Sequence, residues 1–240
     1  MKKLLLLLGV ALPGMALAQT DLSAETLLLE MGQRAGRLQP NEVAKILGPA
    51  QHESLNADKR VWQYRSDSLS WQFLFNSEQQ LEAFTGTLQR ASTQWLPLNK
   101  VRAAQKLSTA SEMAALLGKP QHIEYQKGES VWQYLIRGSE QSEMMRIWLR
   151  FDAAGQLQPN GFAFEMRKAG SDDKLSERKL RRIEKGSSLA EVQRSLGMPV
   201  SLTISGKQEK WDYWASNVRL QLQFDESGTV SQYFVQSTGR

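Results

Sequence analysis

Residues 185–199 read Lys-Gly-Ser-Ser-Leu-Ala-Glu-Val-Gln-Arg-Ser-Leu-Gly-Met-Pro, and the chain contains two further versions of this stretch. They begin at Glu42 as Glu-Val-x-x-x-Leu-Gly-Pro and at Glu112 as Glu-Met-x-x-x-Leu-Gly-x-Pro. In every version a tryptophan stands fourteen residues after the glycine, and a tyrosine stands two residues after the tryptophan. The three sets are Gly48, Trp62 and Tyr64; Gly118, Trp132 and Tyr134; and Gly197, Trp211 and Tyr213. Repetition at a fixed spacing indicates one supersecondary unit used three times.

Each version predicts a short helix followed by strands. In the third version a serine before an acidic first turn favours a helix start, glycine favours the helix end, and the proline that follows prevents its continuation. The strands after it end in Phe75, Phe151 and Phe224, and two Asp-x-x-Gly turns at residues 152–155 and 225–228 lead to a fourth strand. The same two turns could hold calcium, although they supply few of the six to eight oxygen ligands that calcium needs. We place the repeats at residues 19–90, 91–168 and 169–240.

Residues 1–18 are predicted to be a secretory signal peptide. Lys2 and Lys3 precede an apolar run, and Ala16-Leu17-Ala18 forms a small-x-small cleavage site. A retained membrane anchor is the alternative, but glycine and proline interrupt the run and it is shorter than a span of about 20 residues. We therefore expect a periplasmic protein with no integral membrane segment after signal removal. With no cysteine in the chain, it is not expected to be a lipoprotein.

Charge and composition argue against several classes of function. Removing Lys2 and Lys3 lowers the formal charge from +5 to about +3, which does not indicate a nucleic-acid partner. His52 and His122 occupy equivalent positions in separate repeats, so they are not expected to converge on a metal. The sequence lacks a nucleophile elbow, a phosphate-binding glycine loop and a His-Glu-x-x-His motif. We predict no catalytic residues, no metal, no cofactor and no enzymatic activity.

The repeated motif resembles the small protein A family, which includes the outer-membrane assembly lipoprotein BamE and is similar in fold to the β-lactamase inhibitory protein. The resemblance lies in the Leu-Gly-x-Pro helix end, the Trp-x-Tyr strand and the run Leu-x-Phe-Asp-x-x-Gly-x-Val at residues 222–230, and it covers most of residues 38–235. It implies an α+β fold of three tandem helix-plus-antiparallel-sheet repeats forming a composite curved sheet. It also implies binding rather than catalysis, with peripheral contact to outer-membrane complexes. The absent cysteine and the three units depart from the family pattern.

Alternating side-chain direction separates a predicted core from a predicted binding face. The aromatic residues that recur in every repeat are expected to pack inward, although a three-site aromatic ligand cage would show the same pattern. The opposite positions differ among the repeats, and tryptophan and arginine there are residue types enriched in interface hot spots. The candidate partner-binding residues are Leu135, Arg146, Trp148, Arg150, Trp214 and Arg219. Alternatively, both tryptophans fill gaps between neighbouring repeats.

The predicted function is a non-enzymatic protein-protein interaction module that binds another envelope protein in outer-membrane assembly or maintenance. The alternative is an inhibitor of a secreted or periplasmic hydrolase. Its inhibitory element would be the six extra residues of the middle repeat, residues 138–143, since loop tips often carry recognition. Residues 21–36 predict a helix, which either completes the first repeat or docks elsewhere.

Overall fold

The computed structural model describes residues 23–90, 92–140, 142–169 and 175–238, so the predicted signal peptide lies outside the described residues. These residues form one antiparallel sheet of twelve strands, and each strand pairs with the next along the chain. The strands are β1 (His52–Asn56), β2 (Lys59–Arg65), β3 (Leu69–Phe75), β4 (Leu81–Leu88), β5 (His122–Gln126), β6 (Glu129–Arg137), β7 (Met144–Phe151), β8 (Leu157–Arg167), β9 (Ser201–Ser205), β10 (Gln208–Trp214), β11 (Val218–Phe224) and β12 (Val230–Ser237).

The helices are short and lie between or before groups of four strands. They are α1 (Ala24–Gln33), α2 (Pro40–Leu47), α3 (Leu98–Ala104), α4 (Ala110–Leu117), α5 (Glu177–Leu180) and α6 (Leu189–Leu196), with a 3-10 helix at Ala35–Arg37. The glutamate of each repeated motif accepts a hydrogen bond from the backbone N–H of the residue that caps its helix. The donors are Gln39 to Glu42 (3.0 Å), Thr109 to Glu112 (3.0 Å) and Ser188 to Glu191 (2.8 Å). These glutamates therefore stabilise helix starts.

The predicted fold class of three tandem helix-plus-antiparallel-sheet repeats is wrong. About 44% of the described residues are in strands and 23% are in helices, and all twelve strands belong to one continuous sheet. Strand pairing continues from each group of four strands to the next. Strand β4 pairs with β5 from Ala83↔Gln126 to Thr87↔His122, and β8 pairs with β9 in the same way. The physical reason is that each fourth strand satisfies its free backbone groups on the next strand of the chain.

One face of the sheet carries the core, and the helices pack on that face. The recurring aromatic residues are buried there together with helix residues such as Val43, Met113 and Val192, so the predicted inward direction of the rings is confirmed. The tyrosine hydroxyls hold the helix ends. Tyr64, Tyr134 and Tyr213 donate to the carbonyls of Gly48 (3.1 Å), Gly118 (3.1 Å) and Gly197 (3.0 Å). Each motif glycine has a positive φ, between 78° and 85°, which favours glycine at a helix end.

Helix α1, predicted within residues 21–36, docks across the β4–β5 pair rather than only on the first four strands. Leu28 is buried, and a side chain at Gly32 would collide with Ile123 of β5. Helix α3 plays a comparable role further along the sheet, since Arg102 forms an ion pair with Glu209 of β10 at 2.9 Å. Helices thus tie each group of strands to the following one. Within the part of the chain that the structure describes, no helix has the length and apolar character of a membrane span.

Candidate protein-binding surfaces

The sheet face away from the helices, called here the outer face, carries four of the six predicted partner-binding residues on one hairpin. Strands β6 and β7 place Leu135 opposite Arg146, Gln133 opposite Trp148 and Val131 opposite Arg150. Cross-strand neighbours lie about 5 Å apart, so the side chains form one surface. We call Leu135, Arg146, Trp148 and Arg150 the tryptophan patch. Its members alternate along the strands with buried residues, which is why the repeat pattern located them.

The tryptophan patch has an apolar centre and unpaired positive charge. The Arg146 guanidinium lies over the Trp148 ring, 6.0 Å from the ring centroid, which corresponds to a cation-π contact. Neither Arg146 nor Arg150 forms an ion pair with any of the described residues, and Arg150 is exposed. A partner could therefore cover the indole with apolar groups and offer carboxylates to two guanidinium groups.

Trp148 does not fill a gap between repeats. Its ladder partners are Gln133 on β6 and Ala163 on β8, which belong to the same group of four strands as β7. Trp148 is only partly buried. The alternative that this tryptophan packs between neighbouring repeats is therefore wrong.

The structure does not bring the other two predicted residues, Trp214 and Arg219, to the tryptophan patch. They face each other at the ends of β10 and β11. Across the sheet, Trp148 pairs with Ala163, Ala163 pairs with Ser205, and Ser205 pairs with Gln208. Trp214 lies six residues after Gln208 along β10. At the rise of an extended strand, six residues correspond to about 20 Å. Trp214 is 51% exposed, so it belongs to a second, separate surface.

This second surface lies at the β12 edge, and the sequence analysis missed its main residues. Tyr233, Phe234 and Val235 are 54%, 62% and 48% exposed. Phe234 faces outward with Trp214, because it pairs with Gln221, and Gln221 pairs with Asp212. A signal was present in the sequence: residues 229–238 contain three consecutive large apolar residues and no charge. In a strand that ends the sheet, such a run is left uncovered.

The six extra residues of the middle repeat connect β6 to β7, as predicted. Gly138 N–H donates to the Glu143 carbonyl at 3.0 Å, and the Ser139 hydroxyl donates to the Glu143 carboxylate at 3.3 Å. Gln141 lies outside the described residues. The loop begins one residue after Arg137, on the same hairpin that carries the tryptophan patch. A partner bound to the patch would therefore lie near the loop.

The titratable residues singled out in the sequence do not converge. His122 is partly buried on β5 and lies 2.7 Å from the Thr87 hydroxyl through its Nδ1 atom, whereas His52 is exposed on β1. Burial lowers the pKa of His122. The Asp225 carboxylate accepts hydrogen bonds from Ser227 and Thr229 in its turn, and these bonds lower the pKa of Asp225 to about 2. Among the described residues, no group of three His, Cys, Asp or Glu side chains is arranged to hold a metal.

Comparison with known proteins finds a likeness in structure but none in sequence. No family model matches the chain, and no curated protein matches it in sequence. A crystal structure of a "putative beta-lactamase inhibitor protein" from Streptococcus mutans is similar over 57% of this chain and 96% of its own, with 12% identity and a TM-score of 0.36. At that TM-score the likeness supports no argument about fold or function, so the functional proposal depends on the surfaces described above.

Proposed function

We propose that this protein is a non-enzymatic interaction protein of the bacterial periplasm, which binds another envelope protein through the tryptophan patch. The supporting observation is the arrangement on the β6–β7 hairpin, where a partly exposed indole stands between two arginines that form no ion pair with any described residue. Tryptophan and arginine are the side chains that most often supply binding energy at protein interfaces. A helix-free antiparallel sheet face is also a rigid platform for such residues.

The expected partner surface follows from the chemistry of the patch. Trp148 and Leu135 require an apolar contact, and Arg146 and Arg150 favour carboxylates placed on either side of it. We therefore expect a partner with a small apolar site that is flanked by Asp or Glu. Outer-membrane assembly or maintenance stays the proposed setting, on the strength of the predicted signal peptide and the sequence resemblance.

The test compares two double variants on the same sheet face. The first, Trp148→Ala with Arg150→Ala, removes the centre of the patch. The matched control, Arg65→Ala with Gln72→Ala, removes exposed outer-face side chains of β2 and β3. Each tagged protein is expressed with its signal peptide, purified from cross-linked cell envelopes and compared by quantitative mass spectrometry. We expect at least a tenfold loss of a specific captured protein for the first variant only.

Two controls make this result interpretable. Circular dichroism and thermal unfolding should show that both double variants remain folded, because the substituted residues lie outside the core. Binding is then repeated with the purified candidate partner. Equal capture by the wild type and the Trp148→Ala, Arg150→Ala variant would contradict the proposal.

Inhibition of a hydrolase is the second candidate, because the loop at residues 138–143 and the tryptophan patch share one hairpin. An inhibitor would place this loop in an active site while the patch held the enzyme surface. Replacing the loop with a two-residue Asn-Gly turn should abolish inhibition and preserve folding. Full activity of β-lactamases, proteases and lysozymes with the wild-type protein would argue against this candidate.

A further inference from the structure

Strand β12 ends the sheet with an apolar and uncharged edge. Among the described residues, no strand pairs with its outer side. Tyr233 and Val235 project to the helix side, since they pair with the core residues Leu222 and Leu220, and Phe234 projects to the outer face. An exposed edge of this kind is a template for pairing with another strand, and proteins usually protect such edges with charge.

The opposite edge of the sheet has that protection. Strand β1 carries Glu53 at the position of Ile123 in β5 and Leu202 in β9, five residues after the motif glycine in each case. Glu53 forms an ion pair with Arg60 at 3.0 Å. A charged residue on the inward side of an edge strand opposes pairing. The two edges therefore differ, and β12 is the one that favours an added strand.

The interior of the sheet shows how such an edge is covered. Tyr233 and Val235 correspond to Phe162 and Phe164 of β8, because both pairs face the same two positions of the preceding strand. Phe162 and Phe164 are buried. Strand β9 pairs with β8 and places Ile204 opposite Phe164. A strand added to β12 would therefore continue a ladder that the chain already builds.

A basic residue, Arg181, belongs to the segment beside this edge. Arg102 of α3 lies sixteen residues before Gly118, and Arg181 lies sixteen residues before Gly197, so the two arginines are equivalent. Arg102 reaches across the β8–β9 junction and forms an ion pair with Glu209. Arg181 is exposed, and among the described residues its ion pair is the local one with Glu177 at 2.7 Å.

The segment that carries Arg181 runs along β12 on the helix side. Its start is tied to the turn before β11 by the Leu175 N–H, which donates to the Asn217 side chain at 3.0 Å. Its end is tied to the start of β12 by the Gly186 N–H, which donates to the Val230 carbonyl at 2.8 Å. The exposed basic residues Arg178, Lys179, Arg181 and Arg182 follow this path and outnumber its exposed acidic residues, Glu177 and Glu184. This excess of positive charge favours an acidic occupant of the edge.

A second copy that docks through its own β1–β2 hairpin does not meet this requirement. If its β1–β2 hairpin occupied the edge as β9–β10 occupies β8, the residue in the place of Glu209 would be Arg60, two residues before Trp62. Arg60 would then approach Arg181, and the like charges would repel each other. The same docking would also place the charged Glu53 against the apolar residues of β12.

We propose that β12 is a strand-addition site for an acidic β-hairpin of another protein. The first strand of the hairpin pairs antiparallel to β12 and packs apolar side chains on Tyr233 and Val235, and its second strand presents a carboxylate to Arg181, as β10 does to Arg102. This site is independent of the tryptophan patch. Main-chain hydrogen bonds supply affinity in such complexes, and the alternate side chains and the charge supply selectivity.

The first test uses the β9–β10 hairpin, because this hairpin covers the edge of β8, which is the strand equivalent to β12. A fluorescein-labelled peptide of residues 201–214 is titrated with the purified protein and followed by fluorescence anisotropy. We expect saturable binding, weakened at least tenfold by Val235→Lys, because a lysine blocks the edge. The matched control is Leu55→Lys, which places the same charge on the other edge at a residue that is 75% exposed. No saturable binding, or equal weakening by both lysines, would overturn the proposal.

The second test exchanges the charges. Arg181→Glu should weaken binding of the wild-type peptide about fivefold or more, and a peptide with Glu209→Lys should restore binding to this variant. If the Glu209→Lys peptide does not restore binding to the Arg181→Glu variant, Arg181 is not part of the site. The Trp148→Ala variant should bind the peptide normally, which separates this proposal from the proposed function. If the wild-type protein sediments as an oligomer that Val235→Lys dissociates, a second copy is the occupant and the acidic partner is wrong.

Discussion

Trp132 and Trp211 occupy equivalent positions in the repeated motif, but the polar ends of their rings have different surroundings. Both rings are buried and pack on a phenylalanine, with centroids 5.1 Å apart at Phe151 and 5.0 Å apart at Phe224. The Trp211 indole N–H donates to the Glu209 carboxylate at 2.6 Å. The Trp132 indole N–H has no hydrogen-bond partner among the described residues.

The difference originates two residues before each tryptophan. Glu209 holds this position in the third motif, Ser130 in the second and Arg60 in the first. The carboxylate of Glu209 also binds Arg102, whose guanidinium lies 5.9 Å from the centroid of the Trp211 ring. At Trp132 the same space is a cleft of about 410 Å³, lined in part by Tyr125 and Ser130. The repeated residues thus set the apolar packing, and the variable neighbour sets the polar contacts.

Glu209→Ala should produce the largest loss of stability. The change leaves Arg102 and the Trp211 N–H without their shared acceptor in a largely buried place. Removing one partner of a buried pair costs about 3 kcal/mol, at the low end of the usual range because Arg102 is partly exposed. Urea unfolding measures the change. The control is Glu82→Ala, which removes the partly exposed Lys59–Glu82 pair and should lower stability much less. Equal losses would show that Glu209 acts as an ordinary surface charge.

Trp211→Phe and Trp132→Phe test the comparison directly. Both changes shrink a buried ring, so both lose packing energy, but only Trp211→Phe removes a hydrogen bond to a charged acceptor. We expect Trp211→Phe to be more destabilising by about 1.5 kcal/mol. Both variants are measured by urea unfolding in the same buffer. A difference below about 0.5 kcal/mol would mean that the Glu209 contact adds little to stability.

The sequence predicted the apolar packing of these regions well, because recurring side chains must fit one pleated face. It placed Trp62, Trp132 and Trp211 in the core, and it placed the tryptophan patch on the opposite face. The composite sheet implied by the family resemblance did not specify that β4 pairs with β5 and β8 with β9, because pairing between distant strands leaves no motif in either strand. The ion pair between Arg102 and Glu209 was missed for the same reason, since 107 residues separate its partners.

Tyr→Phe changes should have smaller and equal effects in all three motifs. Tyr64, Tyr134 and Tyr213 each donate to the carbonyl of the motif glycine at 3.0 or 3.1 Å. Losing this bond should cost about 1 kcal/mol in each case. The result would confirm that contacts between repeated residues are equivalent, in contrast to the tryptophan N–H groups. A spread of more than about 1 kcal/mol among the three unfolding free energies would contradict it.

The smallest effect is expected from His122, which stands in the Trp132 region where the Trp211 region has Ser201. Burial lowers the pKa of His122 below its usual value of 6.5, and the nearby Glu124 opposes this shift. Between the folded pKa and 6.5 the unfolded chain therefore binds more protons, so stability decreases as pH falls through this window. His122→Gln should flatten this part of the pH profile, by less than any change above because the imidazole is partly exposed. Thermal unfolding of both proteins from pH 7.5 to 5 measures it, and unchanged slopes would show that protonation of His122 does not contribute.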